Sequence, residues 1–232
     1  MSPASIPPES ILVVIPAFNE ARNIRRVAAA VMALGHQVLV VNDGSADATA
    51  AEAAAAGAEV HSLTVNTGKG AALRAGFRLA GDRRIAAVVM MDGDGQHDPA
   101  EIGRLIAVLN AEDAAMVIGS RMTDARSMPL VRRWTNRCMS WIVSRLARTR
   151  LSDTQSGFRA IRADRLSALL PTFDHFEAES EMIVHAGRRG LVIREVPVTT
   201  IYGGGEMSSI RPVRDTLRFI RFVWRMLWSC RD

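Results

Sequence analysis

The sequence predicts an α/β fold: one mostly parallel sheet with helices on both faces. Two observations carry that prediction. Short, unbroken apolar runs alternate with helix-length amphipathic segments through the first half of the chain, and a parallel sheet covered on both sides satisfies that alternation. The polar segments rich in Asp, Asn, Glu and Lys follow the ends of those runs. In such a sheet that places them on the edge where ligands bind. A chain of 232 residues with 48% hydrophobic content can bury one large core.

Each element follows from the local pattern. Residues 11–15 form an apolar run stopped by Pro16, as expected of a buried strand. Residues 20–34 place Ile24, Val27, Val31 and Leu34 on one helical face. A second strand at 37–41 leads into Asn42, Asp43, Gly44 and Ser45. The alanine-rich segment 46–56 reads as a helix that Gly57 can end. A third strand falls at 59–63, a third helix at 69–79, and a fourth strand at 85–91 runs into Asp92-Gly93-Asp94. Pro99 opens the next helix, where its missing N–H costs little. A fifth strand lies at 115–118. The pattern then changes. Residues 131–148 read as a long basic helix, 153–159 as a polar turn and 177–188 as a helix acidic in its first turns. Two short strands are expected around Pro197 within 191–202, a flexible glycine loop at 203–205 and a final helix at 212–229.

The net charge is +5, so acidic partners are expected. Arginine carries most of the positive charge and clusters at 121–150 and 211–225. Acidic segments earlier and basic ones later suggest a metal site facing an anion-binding surface. The cysteines, Cys138 and Cys230, lack CxxC spacing, which disfavours a zinc site or disulfide framework and suits a reducing cytoplasm. Residues 1–10 read as a disordered lead-in, not a signal peptide. No apolar run approaches the roughly 20 residues that cross a bilayer.

The sharpest chemical signal is Asp92-Gly93-Asp94. Two carboxylates at i, i+2 in a bent loop after a buried strand can turn toward one point. Hard oxygen ligands of this kind suit Mg²⁺ or Mn²⁺, which also takes oxygens from a substrate phosphate. The alternative is an acidic turn with no ligand. Gly68-Lys69-Gly70 fails the P-loop pattern, yet could accept a phosphate at a helix N-terminus or be an ordinary turn. No GxGxxG follows the first strand and no GxSxG occurs, which argues against a dinucleotide fold and a triad hydrolase. Nucleic acid is not an expected partner, since only the net charge favours it.

These residues carry a resemblance. VVIPAFNE (13–20), VVNDGSAD (40–47), NTGKGAALRAGF (66–77), MDGDGQHDP (91–99), GSR (119–121), DTQSGFR (153–159) and the segment from Glu181 to Val198 resemble, in order, the family 2 glycosyltransferases of GT-A fold. Among these they are similar to the polyprenyl-phosphate sugar synthases. The resemblance implies a nucleotide-sugar-binding part at 11–120, an acceptor-binding part at 121–205 and a C-terminal amphipathic helix at 206–232. It implies that Pro16, Ala17, Glu20 and Asp43 cradle a base and ribose, with Lys69 and Asp92 also on the donor. Asn42 departs from the aspartate often found there. Asp92, Asp94 and Gln96 would hold the metal, and Arg121, Arg133 and Arg137 an acceptor phosphate. Asp153, Gln155 and Glu181 would lie near the sugar, with Asp153 and Glu181 the catalytic candidates and Glu179 a weaker one.

The implied reaction is inverting transfer of a hexose from a UDP- or GDP-linked sugar to a polyprenyl phosphate. An acceptor phosphate is already anionic and needs positioning more than a base, whereas an alcohol acceptor would need a carboxylate to take its proton. The same donor chemistry with a non-lipid acceptor, and a nucleotide-sugar-binding protein without turnover, are the alternatives. In the last helix Arg214, Arg218, Arg221 and Arg225 make a basic stripe beside Val213, Leu217, Ile220, Trp224 and Leu227. That pattern suits peripheral docking through 212–229 on the cytoplasmic face of an anionic membrane. It also suits a helix packed on the domain with a solvated arginine face.

Overall fold

The structure is a computed structural model, which describes residues 6–122, 130–199, 201 and 212–228. Its strands are β1 (Ile11–Ala17), β2 (Gln37–Asn42), β3 (Glu59–Ser62), β4 (Ala87–Met90), β5 (Met116–Ser120), β6 (Arg159–Arg162) and β7 (Ile193–Pro197). They form one sheet in the order β3-β2-β1-β4-β6-β5-β7. Every pairing is parallel except those of β6, which runs antiparallel to β4 and to β5. The helices are α1 (Ile24–Met32), α2 (Thr49–Ala55), α3 (Lys69–Gly81), α4 (Ile102–Ala111), α5 (Leu130–Ala147), α6 (Leu166–Leu169), α7 (Glu177–Arg188) and α8 (Pro212–Trp228). None of the described helices is long and apolar enough to cross a membrane.

β1 shows why a two-sided sheet needs a continuous apolar run. All its residues are buried. Ile11, Val13, Ile15 and Ala17 join the core on one face, while Leu12 and Val14 join the core on the other, following the two-residue period of a strand. On the first face α1 supplies Ile24, Val27 and Val31, and α4 supplies Ile102, Leu105, Ile106 and Leu109. On the second, Leu73 and Phe77 of α3 meet Val143 of α5, Met182 and Ile183 of α7, and Phe222 and Met226 of α8.

Several expectations are corrected. Leu34 does not join the buried face of α1: the helix ends at Met32, Gly35 turns the chain at φ 82°, and Leu34 is 43% exposed. The polar turn expected at 153–159 leads directly into a strand, β6. That strand is four residues long with arginine at both ends, so it has no apolar run to announce it. The segment 191–199 holds one strand, β7. Pro8–Ser10, in the expected lead-in, forms a 3-10 turn, and Gln37 Nε2 donates to Glu9 O at 2.6 Å. The glycine loop at 203–205 lies outside the described residues.

α5 and α7 cross with almost no separation at Gly187. A Cβ there would overlap the Ala147 carbonyl and lie 2.8 Å from the Ala147 Cβ. Gly187→Ala is therefore expected to destabilise the fold by about 1–3 kcal/mol through overpacking, despite alanine's better helix propensity. A lower urea midpoint with unchanged slope would show it; an unchanged midpoint would mean that α5 shifts freely.

Candidate active site

Strand direction gathers the site. β1, β2 and β4 run parallel and end on one edge, with Ala17 opposite Asn42. β5 ends on that edge as well. β6, being antiparallel, begins there: Arg159 lies opposite Met90 of β4 and Ile118 of β5. The loop before β6 is thereby delivered beside the loop after β4.

The loops after β1 and β2 are laced together. Asn19, in the left-handed region at φ 57°, donates its N–H to Ser45 Oγ and accepts from the Ala46 N–H. The Glu20 N–H donates to Thr49 Oγ1 at 2.8 Å, and the Ala21 N–H to Asp47 at 3.1 Å. Burial pushes the Asp47 carboxyl up, but its bonds from Thr49 and Ala21 outweigh that and hold it below the usual range. Pro16 and Ala17 end β1 in buried positions. Glu20 lies against the Asp92 loop, where a Cβ on Gly93 would be 3.6 Å from Glu20 Cγ. Asp43 is buried, and its oxygens accept from the Thr67 and Gly68 N–H groups, each at 2.8 Å.

The glycines flanking Lys69 serve packing. Side chains at Gly68 or Gly70 would overlap the backbone at residues 173–174, and the Ala71 N–H donates to Asp174 O at 3.1 Å. The N-terminus of α3 is thus packed against the loop before α7. Lys69 itself turns toward carboxylates. Its Nζ is 2.5 Å from Asp92 Oδ1 and 3.0 Å from Glu179 Oε1. Burial opposes the Lys69 charge, but Asp92 and Glu179 more than reverse this and hold its pKa well above the ordinary value. Burial likewise pushes Asp92 up, while Lys69 and then His97 pull it far below the carboxylate range. His97 Nε2 is 3.6 Å from Asp92 Oδ2, and its ring stacks on Phe158. Asp94 moves the other way: burial, and then the Asp92 charge, push its carboxyl up. A divalent cation between Asp94 and Asp92 would relieve that crowding. Among the described residues no three His, Cys, Asp or Glu side chains converge as they would in an all-protein metal cage. Two hard carboxylates by themselves suit Mg²⁺ or Mn²⁺, which would take its remaining ligands from phosphate oxygens and water. Gln96 donates its N–H to Asp94 Oδ1 at 2.9 Å and accepts from the Ile201 N–H.

The expected acceptor residues are only partly brought together. Arg121 and Asp153 form a bidentate pair, Nε to Oδ2 at 2.9 Å and Nη2 to Oδ1 at 3.1 Å, with the Arg121 N–H also on Oδ2. Burial pushes Asp153 up, but Arg121 outweighs it and holds the carboxyl below the usual range. Both Asp153 oxygens are engaged, Oδ1 also by the Gln155 N–H, which leaves the residue poorly suited to act as a base. Glu181 is engaged elsewhere. It accepts from the Thr172 N–H and hydroxyl at 2.6 Å and from the Phe173 N–H at 3.0 Å. Glu179, the weaker candidate, is the one that lies beside Lys69. Residues two apart on a helix point about 200° apart, so only one of the pair can face Asp92. On α5, Arg133 and Arg137 share a face with Ser140 and Ser144, which bond to Thr154 and Leu151.

Sequence reasoning gave no role to Gly157 or Arg159, and read His97 as a possible metal ligand or, in preference, part of the turn before the helix at Pro99; the structure sets it beside Asp92. A Cβ on Gly157 would lie 2.6 Å from Asp92 Oδ2 and 2.9 Å from Lys69 Nζ, so a side chain there would displace that ion pair from its present position. Arg159 is fully buried, donating to the carbonyls of Ser156, Glu179 and Thr154 at 2.6–3.0 Å. Gly157 and Arg159 stand inside the quoted DTQSGFR stretch; spacing alone does not reveal their partners.

The mixed, mainly parallel sheet with a carboxylate-bearing loop at its ligand edge is the architecture of the GT-A glycosyltransferases. The chain belongs to glycosyl transferase family 2, whose sequence model matches residues 12–169. It is 36% identical over 215 residues to the undecaprenyl-phosphate mannosyltransferase of Micrococcus luteus, covering 82% of this chain and 83% of that one. It is 34% identical over 217 residues to the polyprenol monophosphomannose synthase of Mycolicibacterium smegmatis, covering 85% and 80%. Among solved structures, glucosyl-3-phosphoglycerate synthase from Mycobacterium tuberculosis, in complex with Mn²⁺, UDP and phosphoglyceric acid, matches with a TM-score of 0.72 at 24% identity, over 95% of this chain and 78% of that one. That likeness bears on the fold.

Asp153→Ala would strand the Arg121 guanidinium and is expected to cost about 3–5 kcal/mol at neutral pH. Because the native carboxyl is depressed, its stabilisation is complete above about pH 4, the ordinary carboxylate range, and is lost as pH falls through the native value. The gap between variant and parent urea midpoints should therefore narrow on acidification. A constant gap would count against an ionised Asp153.

Proposed function

We propose that this glycosyltransferase moves a hexose from a UDP- or GDP-linked sugar to a polyprenyl phosphate, inverting the anomeric carbon. The observation that supports this best is the division of charge at the sheet edge. Asp92 pairs with Lys69 two residues before Asp94, while the candidate bases Asp153 and Glu181 are engaged by Arg121 and by the 172–173 loop. Such a site suits an acceptor that brings its own negative charge and needs only to be positioned. The two polyprenyl-linked relatives support the same acceptor class.

Asp92, Asp94 and Gln96 would hold Mg²⁺ or Mn²⁺, and the solved relative with Mn²⁺ and UDP supports that reading. Bound there, the metal would neutralise charge developing on the leaving diphosphate. Lys69 would add a fixed cation beside Asp92. Pro16, Ala17 and Glu20 would frame the base and ribose. Asp43 would act mainly through the 67–68 backbone that it fastens. Arg121 Nη1 lies outside the Asp153 pair, and with Arg133 and Arg137 it would receive the acceptor phosphate as charge-assisted hydrogen bonds. Exposed Leu217, Ile220, Trp224, Leu227 and Trp228 on α8 support docking at the cytoplasmic face of a membrane, near a lipid acceptor.

The test is nucleotide-diphosphate release from a panel of UDP- and GDP-sugars, with Mg²⁺ or Mn²⁺, with and without a short polyprenyl phosphate. Release is expected to require the lipid phosphate and to fall at least about a hundredfold in Asp94→Ala. Metal-dependent donor binding without lipid-dependent turnover would mean that the acceptor is not a polyprenyl phosphate.

A further inference from the structure

A charged cavity lies between α8 and the loop before α7. Its volume is about 300 Å³, and its walls include Thr172, Asp174, Glu177, Arg218, Arg221 and Arg225. Glu177 and Glu179 point about 200° apart on α7. Glu179 faces Lys69, so the cavity sits on the far side of the helix. The loop that forms one wall, 172–175, has its other side against Gly68 and Gly70.

The arginines occupy a particular flank of α8. At about 100° per residue, Arg218, Arg221 and Arg225 fall between two apolar arcs. Phe219, Phe222 and Met226 are buried against the domain, whereas Leu217, Ile220, Trp224 and Leu227 are exposed. A helix lying on a bilayer with its exposed arc downward holds such a seam at headgroup depth. The Arg225 guanidinium is already stacked over Phe173, 4.9 Å from the ring centre.

The opposite wall wants something different. Glu177 is 8% exposed, and among the described residues its Oε2 has no hydrogen-bond partner. A buried carboxylate oxygen in that condition needs a donor. A simple anion would satisfy the arginines and leave Glu177 unanswered; a simple cation would face the arginines. A ligand that joins a phosphate to a hydroxyl or ammonium donor answers both walls.

We propose that this cavity binds the phosphoethanolamine headgroup of a phospholipid, with the phosphate on Arg221 and Arg225 and the ammonium on Glu177. The proposal rests on the reading that α8 docks on a membrane. It separates two headgroups of equal net charge. Phosphoethanolamine carries N–H donors, whereas the quaternary ammonium of phosphocholine carries none, so preference between them cannot come from bulk electrostatics.

The test is co-sedimentation of the full chain with vesicles of phosphatidylcholine alone or mixed with phosphatidylethanolamine. The mixed vesicles should bind about tenfold tighter, the worth of one charge-assisted hydrogen bond. Glu177→Ala should erase that preference, and Arg225→Gln serves as the second variant if the first does not fold. Trp224→Ala should weaken binding to both vesicles while keeping their ratio. A preference that survives both cavity variants, or none in the parent chain, overturns the proposal. Calorimetric titration with soluble glycerophosphoethanolamine separates the two readings. Glu177-dependent binding without vesicle binding would sink membrane docking and keep the cavity assignment. Binding of neither would sink both.

Discussion

The Lys69 ammonium holds three distant parts of the chain in one arrangement. It starts α3, meets the carboxylate that follows β4, and meets a second carboxylate on the first turn of α7. An ammonium only 15% exposed is tolerable only with counter-charges close by. Much of the neighbouring sequence serves that requirement. Gly157 leaves the volume the pair occupies, Gly68 and Gly70 let the loop before α7 close over the start of α3, and Asp43 fastens the backbone leading into it. The position of Asp92, and through it the crowding of Asp94, is a consequence.

A second cation organises the other half of the site. Arg159 begins the antiparallel strand with no exposed surface, and three backbone carbonyls accept its hydrogen bonds. One belongs to Glu179, so the residue that pairs with Lys69 through its side chain is held through its backbone by Arg159. Arg121 and Asp153 close the adjoining loop. Polar interactions inside a protein are rigid when fully satisfied, and here they set a fixed edge against which a donor and an acceptor can be oriented.

Helical periodicity divides the labour of α7. Glu179 faces the transfer site, Glu181 secures residues 172 and 173, and Glu177 faces the cavity under α8. α8 is divided in the same way: part of its broad apolar surface completes the core, and the rest stays exposed beside an arginine flank. The two readings that sequence allowed for this helix, packing on the domain and meeting a membrane, concern different arcs of it and are compatible.

What the sequence determined by itself was the set of elements with strong periodicity and the family. The apolar runs of β1, β2, β4 and β5 had to be buried strands, and the Asp92-Asp94 loop had to fall at their carboxyl ends, because both follow from local pattern. β6 stayed hidden, since it opens on a buried guanidinium satisfied by two carbonyls of the preceding turn and by that of Glu179, twenty residues on. Glu179 and Glu181 are equivalent in sequence, and the orientation of α7 against the sheet decides which reaches Lys69. Gly157 and the two glycines beside Lys69 are small because another segment presses on them. Tertiary structure alone decides such matters, because hydrogen-bond partners and excluded volume belong to pairs of segments, whereas periodicity belongs to one.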